Sequence, residues 1–124
     1  MVGVGAVVRD GDRILLVRRG REPGRGLWAV PGGKVERGEE MRATARREVE
    51  EETGLRIEVG EPVWVGEVIE ADHHIVLIDF AAELIGGELS PGDDADEVRW
   101  VAMEEARDLP LTRTMYALLD SLTP

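Results

Sequence analysis

The sequence has no cysteine, a single lysine (Lys34), one phenylalanine and one tyrosine, and no apolar run approaching the roughly 20 residues that span a bilayer. The missing cysteine excludes disulfides and thiolate metal sites, although it does not by itself set a compartment. The missing apolar run excludes a membrane-spanning helix and leads us to expect a soluble protein. The N-terminus lacks a charged segment followed by a sustained apolar stretch and a cleavage site, so a cytoplasmic location is expected. Positive charge is also short: 15 lysines and arginines face 26 aspartates and glutamates, for a net charge of -11. That balance argues against a nucleic-acid polymer or an anionic membrane as partner, since both need a basic footprint. A small phosphorylated ligand is still compatible, because metal ions and a few arginines can meet its charge locally. With 124 residues and no repeat, low-complexity segment or linker, the chain is expected to form one domain over residues 1–124.

What is present is alternation, turns and one dense acidic stretch. Val2 to Val8 alternates as a strand, with Gly3 and Gly5 leaving one face nearly bare. Such glycines serve either close packing or room for a flat ligand, and packing is the expectation. Asp10-Gly11-Asp12 is a hairpin turn, and Arg13 to Arg19 returns as a strand with Ile14 to Val17 buried on both faces. Leu27 to Val30 is a short strand whose Trp28 reads as a packing anchor. Arg56 to Val59 and Val63 to Ile69 read as two strands broken by Gly60-Glu61-Pro62, and Ile75 to Leu84 as a strand buried near its middle. His73 and His74 would point to opposite faces of a strand, so they do not form a shared metal site. Gly86 to Asp96 is an acidic loop leading to a strand over Glu97 to Val101. Met103 to Arg107 is a short helix, and Thr112 can cap a last helix with Met115, Leu118, Leu119 and Leu122 in one apolar stripe.

The acidic stretch runs from Gly33 to Leu55. If Glu40 to Thr53 is helical, Glu48, Glu51 and Glu52 share a face and Glu50 points away. Met41, Ala45 and Val49 form an apolar seam beside those three glutamates. Carboxylates crowded at the edge of a buried surface repel one another and resist leaving water. Arginine can compensate in part: Arg47 reaches Glu51 at i, i+4, and Arg46 can pair with Glu50. A hard divalent cation, which takes carboxylate and phosphate oxygens, would supply the rest. Gly54 is a natural C-cap.

The same stretch resembles the Nudix box: Gly, five residues, Glu, seven residues, Arg-Glu, an aliphatic, any residue, Glu-Glu, any residue, Gly, an aliphatic. Gly33, Glu39, Arg47, Glu48, Val49, Glu51, Glu52, Gly54 and Leu55 meet every fixed position. The resemblance to Nudix (MutT-like) hydrolases implies an α/β/α sandwich with a mixed sheet covered by helices. It also implies metal-assisted hydrolysis of a phosphoanhydride in a nucleoside diphosphate linked to another group. The substrates implied are nucleotide sugars such as ADP-ribose, or nucleoside triphosphates, oxidised forms included. By the same resemblance, Glu48, Glu51, Glu52 and the Gly32 carbonyl bind Mg2+, with Mn2+ fitting the same ligands. Arg47 orients the carboxylates, Glu39 closes the turn, and Glu48 or Glu52 serves as general base. Arg19, with Arg18 beside it, contacts substrate phosphate, and Arg21 and Arg25 have the same use with less support. An acidic residue of the late loop adds a ligand or base; Asp93, Asp94 and Glu97 are the candidates, Glu97 first. Glu36, Glu40 and Glu50 match no fixed position. Homodimers are common in the family, so a homodimer is an expectation for assembly. The relatives that cleave ADP-ribose often carry a proline about fifteen residues past the box, where this chain has Glu70, Ala71 and Asp72. Two other classes compete: a catalytically silent Nudix-fold nucleotide sensor, and an interaction domain whose acidic helix is only a surface.

Overall fold

The structure is a computed structural model that describes residues 1–123. The chain forms β1 (Val2–Asp10), β2 (Arg13–Arg19), β3 (Trp28–Ala29), β4 (Gly32–Lys34), α1 (Met41–Thr53), β5 (Leu55–Ile69), β6 (His74–Gly87), β7 (Ala95–Ala102), α2 (Met103–Ala106) and α3 (Arg113–Leu122). The strands join in the order β3-β2-β1-β6-β5, with β4 added beside β1 and β7 beside β2. β1 and β6 are parallel and the remaining pairs antiparallel, so the sheet is mixed. β1 is shared: its N-terminal half pairs with β4 and its last residues with β2.

Side-chain alternation sorts the core into two layers. On one face, Ala6, Val8 and Leu15 pack with Val49, Leu55 and Ile57, and Val4 and Phe80 pack with Ala45; this is the side covered by α1. On the other, Val7, Ile14, Leu16, Trp28 and Val101 pack with Ala106, Met115, Leu118 and Leu119 from α2 and α3. Ile14, Leu15, Leu16 and Val17 are all buried, because β2 contributes alternately to both layers. The expected α/β/α sandwich is therefore the observed architecture. No helix among the described residues is long and apolar enough to cross a membrane.

Four local expectations are corrected. Gly60-Glu61-Pro62 does not break the chain into two strands: β5 runs through it, with register shifts between Val59 and Pro62 and between Pro62 and Trp64. β5 is an edge strand, where a missing N–H and an irregular register are tolerated. Gly86 and Gly87 belong to β6, pairing with Arg56 and Leu55. Met41, at the first helical position, is exposed, so the apolar seam of α1 is Ala45 and Val49. Thr112 occupies the N-cap of α3 without a side-chain bond, its backbone carbonyl accepting from the Met115 N–H instead. The bare face of β1 is filled by neighbours: a Cβ on Gly3 would come 2.9 Å from Leu77 Cδ2, and one on Gly5 would collide with Asp79 Oδ1.

Candidate active site

The helix α1 is fixed at both ends by features written into its sequence. Gly54 takes φ 76°, and its N–H bonds the Glu50 carbonyl. The last carbonyls of α1 are capped by the late loop, Ser90 N–H on Thr53 and Gly92 N–H on Glu52. These bonds satisfy orphan carbonyls of the helix and place the following residues, Asp93 and Asp94, beside the face of α1 that carries Glu48, Glu51 and Glu52. At the other flank, Gly20 N–H donates to the Asp94 carbonyl, and Arg21 pairs with Asp94 at 2.7 Å. The result is a polar cleft of about 320 Å³ lined by Arg21, Glu48, Glu51, Glu52, Asp93 and Asp94.

A relay of side chains holds the carboxylates. The Thr44 hydroxyl donates to Glu39 Oε1 at 2.7 Å. Glu39 then accepts a two-pronged bond from Arg47, Nε to Oε2 at 2.8 Å and Nη2 to Oε1 at 3.0 Å. These contacts, Arg47 foremost, hold the Glu39 carboxyl down at about 2. They raise the proton affinity of the Arg47 guanidinium, Glu39 being the main cause. The remaining nitrogen of Arg47, Nη1, reaches Glu48 Oε1 at 2.8 Å and Glu51 Oε2 at 3.3 Å. One planar fork thus ties the turn before the helix to two carboxylates on it. Glu36 lies at the margin of the same network, 4.0 Å from Arg47. Arg46 and Glu50, both exposed, form no ion pair among the described residues.

Gly32 and Gly33 meet this network from β4. A Cβ on Gly33 would lie 2.5 Å from Glu48 Cδ, so the glycine lets the carboxylate rest on the backbone. The Gly32 N–H donates to Glu52 Oε1 at 3.2 Å. Glu52 is the most perturbed acid here, pushed up to about 8. Burial is the first cause and the charge of Glu48 the second, opposed by the Gly32 N–H and by the charge of Arg19.

The two arginines at the end of β2 part company. Arg19 faces the carboxylates, its Nε donating to the Pro23 carbonyl at 2.7 Å. Arg18 turns to the face covered by α3, over Trp28 and 3.5 Å from Glu97. Glu97 is engaged there by Arg99 as well, at 2.7 Å. It shares the parity of Val101 in the α3-side core and does not line the cleft. The structure therefore places Asp93 and Asp94 where the sequence reading put Glu97 first, and separates Arg18 from the other candidates. Arg25 uses its backbone N–H on Glu22. His73 pairs with Asp72 at 2.8 Å and His74 with Glu67 at 2.5 Å, each apart from the cleft. Trp28 is buried as an anchor.

The donor set suits a hard cation. Glu48, Glu51 and Glu52 each commit one oxygen to Arg47 or Gly32 and keep a second without a protein donor. Among the described residues no three carboxylates or imidazoles already converge into a closed shell. Arg47 bridges Glu48 and Glu51 from one nitrogen and leaves the second oxygen of each for an ion.

Comparison with known proteins agrees with this arrangement. A family model of the NUDIX domain matches residues 1–122. The chain is 39% identical over 101 residues to an ADP-ribose pyrophosphatase of Methanocaldococcus jannaschii, covering 80% of this chain and 60% of that protein. It thus spans less than two thirds of that relative. A MutT-like protein of Streptomyces ambofaciens is 33% identical, over 95% of this chain and 73% of its own length. Among solved structures, a MutT NUDIX hydrolase from Burkholderia pseudomallei superimposes with a TM-score of 0.88 at 33% identity, covering 98% of this chain and 97% of that one. The chain belongs to the Nudix hydrolase family.

Proposed function

We propose that the chain is a divalent-metal-dependent pyrophosphohydrolase that cleaves the phosphoanhydride of a nucleoside diphosphate linked to another group. The observation that carries this is the cleft itself: Glu48, Glu51 and Glu52 gathered with Arg21, Asp93 and Asp94 around one opening, and Arg19 near enough for its charge to act on Glu52. Glu48, Glu51, Glu52 and the Gly32 carbonyl would hold Mg2+ or Mn2+. When bound, the ion supplies charge neutralisation at the phosphate oxygens and acidifies water. Arg19 and Arg21 are suited to the phosphates as planar forks, and Arg21 would exchange Asp94 for substrate. Glu52, or Glu48 next to it, is suited to take a proton from the attacking water. Arg47 positions both Glu48 and Glu51 from behind. Glu97, bound to Arg18 and Arg99 on the opposite face, is replaced in the loop role by Asp93 or Asp94.

ADP-ribose is one supported substrate, through the resemblance to the archaeal pyrophosphatase; nucleoside triphosphates fit the same chemistry. A silent sensor would have no need of three intact carboxylates around one opening. The test is chromatographic detection of products from ADP-ribose, other nucleotide sugars, nucleoside triphosphates and dinucleoside polyphosphates, with Mg2+, Mn2+ or chelator. Cleavage of one class with metal and none with chelator is expected. Metal binding without cleavage of any compound would move the sensor reading ahead.

A further inference from the structure

The chemistry above leaves one buried charged side chain unused. Asp79 lies in the middle of β6 and is 7% exposed. Among the described residues its carboxylate accepts no hydrogen bond and forms no ion pair, and burial alone lifts it to about 6. An ionised carboxylate left this way is costly to bury. No side-chain oxygen of the described residues is both sealed from solvent and unpartnered, so the Asp79 oxygens keep some contact with solvent.

Its neighbours define the side on which solvent reaches it. Asp79 pairs across the sheet with Gly5 on one side and Trp64 on the other, so the three share a face, the one opposite α1. Gly5 in turn pairs with Gly32. The row Gly32, Gly5, Asp79, Trp64 therefore crosses four neighbouring strands, starting at the turn that meets Glu52. At roughly 4.8 Å per strand, Asp79 sits about 10 Å from Gly32, the scale separating a nucleotide's phosphates from its base. Gly5 leaves room for the carboxylate, Val30 flanks it, and the Trp64 ring lies along the strand over Gly66.

We infer that Asp79 reads the edge of the substrate's nucleobase, accepting hydrogen bonds from the two adjacent N–H donors of a guanine-type base, with Trp64 as the aromatic wall. The inference rests on the nucleotide-hydrolase reading and names its base, which favours guanine nucleotides over ADP-ribose among the substrates of that reading. An ionised carboxylate accepts and cannot donate. Guanine presents a ring N–H next to an exocyclic amine and so offers both oxygens a donor. Adenine and cytosine set an acceptor nitrogen beside their amine, and that lone pair faces the carboxylate unfavourably. Hypoxanthine keeps the ring N–H but lacks the amine.

The test is calorimetric binding of GMP, IMP and AMP to the protein in chelator, with Asp79→Asn and Asp79→Ala alongside and circular dichroism confirming their fold. GMP is expected to bind about tenfold or more tighter than IMP or AMP, as two-point edge recognition does elsewhere. Both variants are expected to lose that preference; the isosteric Asn change keeps the packing and removes a buried charge. Equal affinity for the three nucleotides, a preference that survives in Asp79→Asn, or no binding at all would overturn the assignment. Because binding is read without turnover, the two readings fail separately. Product formation without GMP preference sinks only the role of Asp79, and a GMP preference lost in Asp79→Asn, in protein that cleaves nothing, sinks only the hydrolase.

Discussion

Glu52 and Asp79 are acids whose folded pKa values lie above their ordinary ones, about 8 against 4.5 and about 6 against 3.8. The folded chain then holds protons that the unfolded chain has released. Their contribution to stability is full below the ordinary values and is lost as pH rises through about 6 for Asp79 and about 8 for Glu52. Glu39 has the opposite sign: held at about 2, its contribution is present above 4.5 and lost only as pH falls towards 2. Metal-free protein is therefore expected to melt at a lower temperature at pH 8 than at pH 5.5, and Glu52→Gln to flatten that decline. A Glu52→Gln melting profile parallel to wild type would contradict the assigned burial and charge of this residue. The box residues were legible because i, i+3 and i+4 spacing alone puts Glu48, Glu51 and Glu52 together. Asp79 was not, although its charge inside the apolar run from Ile75 is a signal. What makes it distinctive is the absence of a partner, and only tertiary structure shows that.

At the scale of elements, the site is a contact between α1 and β4. Gly33 must lack a side chain because the Glu48 carboxyl rests where a Cβ would be. Gly33→Ala is expected to push Glu48 off the cleft and lower turnover about tenfold or more, while costing at most about 1–3 kcal/mol of stability, as overpacking does. Steady-state kinetics and thermal melts check this together; full turnover in a folded Gly33→Ala would show that Glu48 does not depend on that seat. The helix was readable to within a residue, since Gly54 announces its end and Ala45 and Val49 its buried side. β5 was misread because Gly60 and Pro62 look like a break in sequence, and only an edge position makes them an irregularity within one strand. The capping of α1 by Ser90 and Gly92 had no local signature, as it joins segments far apart in the chain.

At the scale of the molecule, two helical layers on a mixed sheet leave the carboxylate face of α1 open between the loop that follows β2 and the loop that precedes β7. The cleft gathers three glutamates and two aspartates against Arg21, with Arg19 nearby. The fold class was legible through the resemblance to the Nudix box, with which the order of strands and helices agrees. Which loop acid faces the cleft was not, because Asp93 and Asp94 are brought there by bonds between distant segments, Ser90 and Gly92 on the end of α1 and Gly20 on Asp94.

Turnover of Glu52→Gln and Glu50→Gln, measured with metal on whichever substrate the wild type cleaves, shows whether one face of α1 carries the chemistry. The account predicts a loss of roughly 10²–10⁴ for Glu52→Gln, the scale of a general acid–base contribution, in protein that still folds. Glu50, exposed on the other side of α1, is predicted to be dispensable, its variant staying within about twofold of wild type. Equal losses from both changes, or none from either, would contradict it.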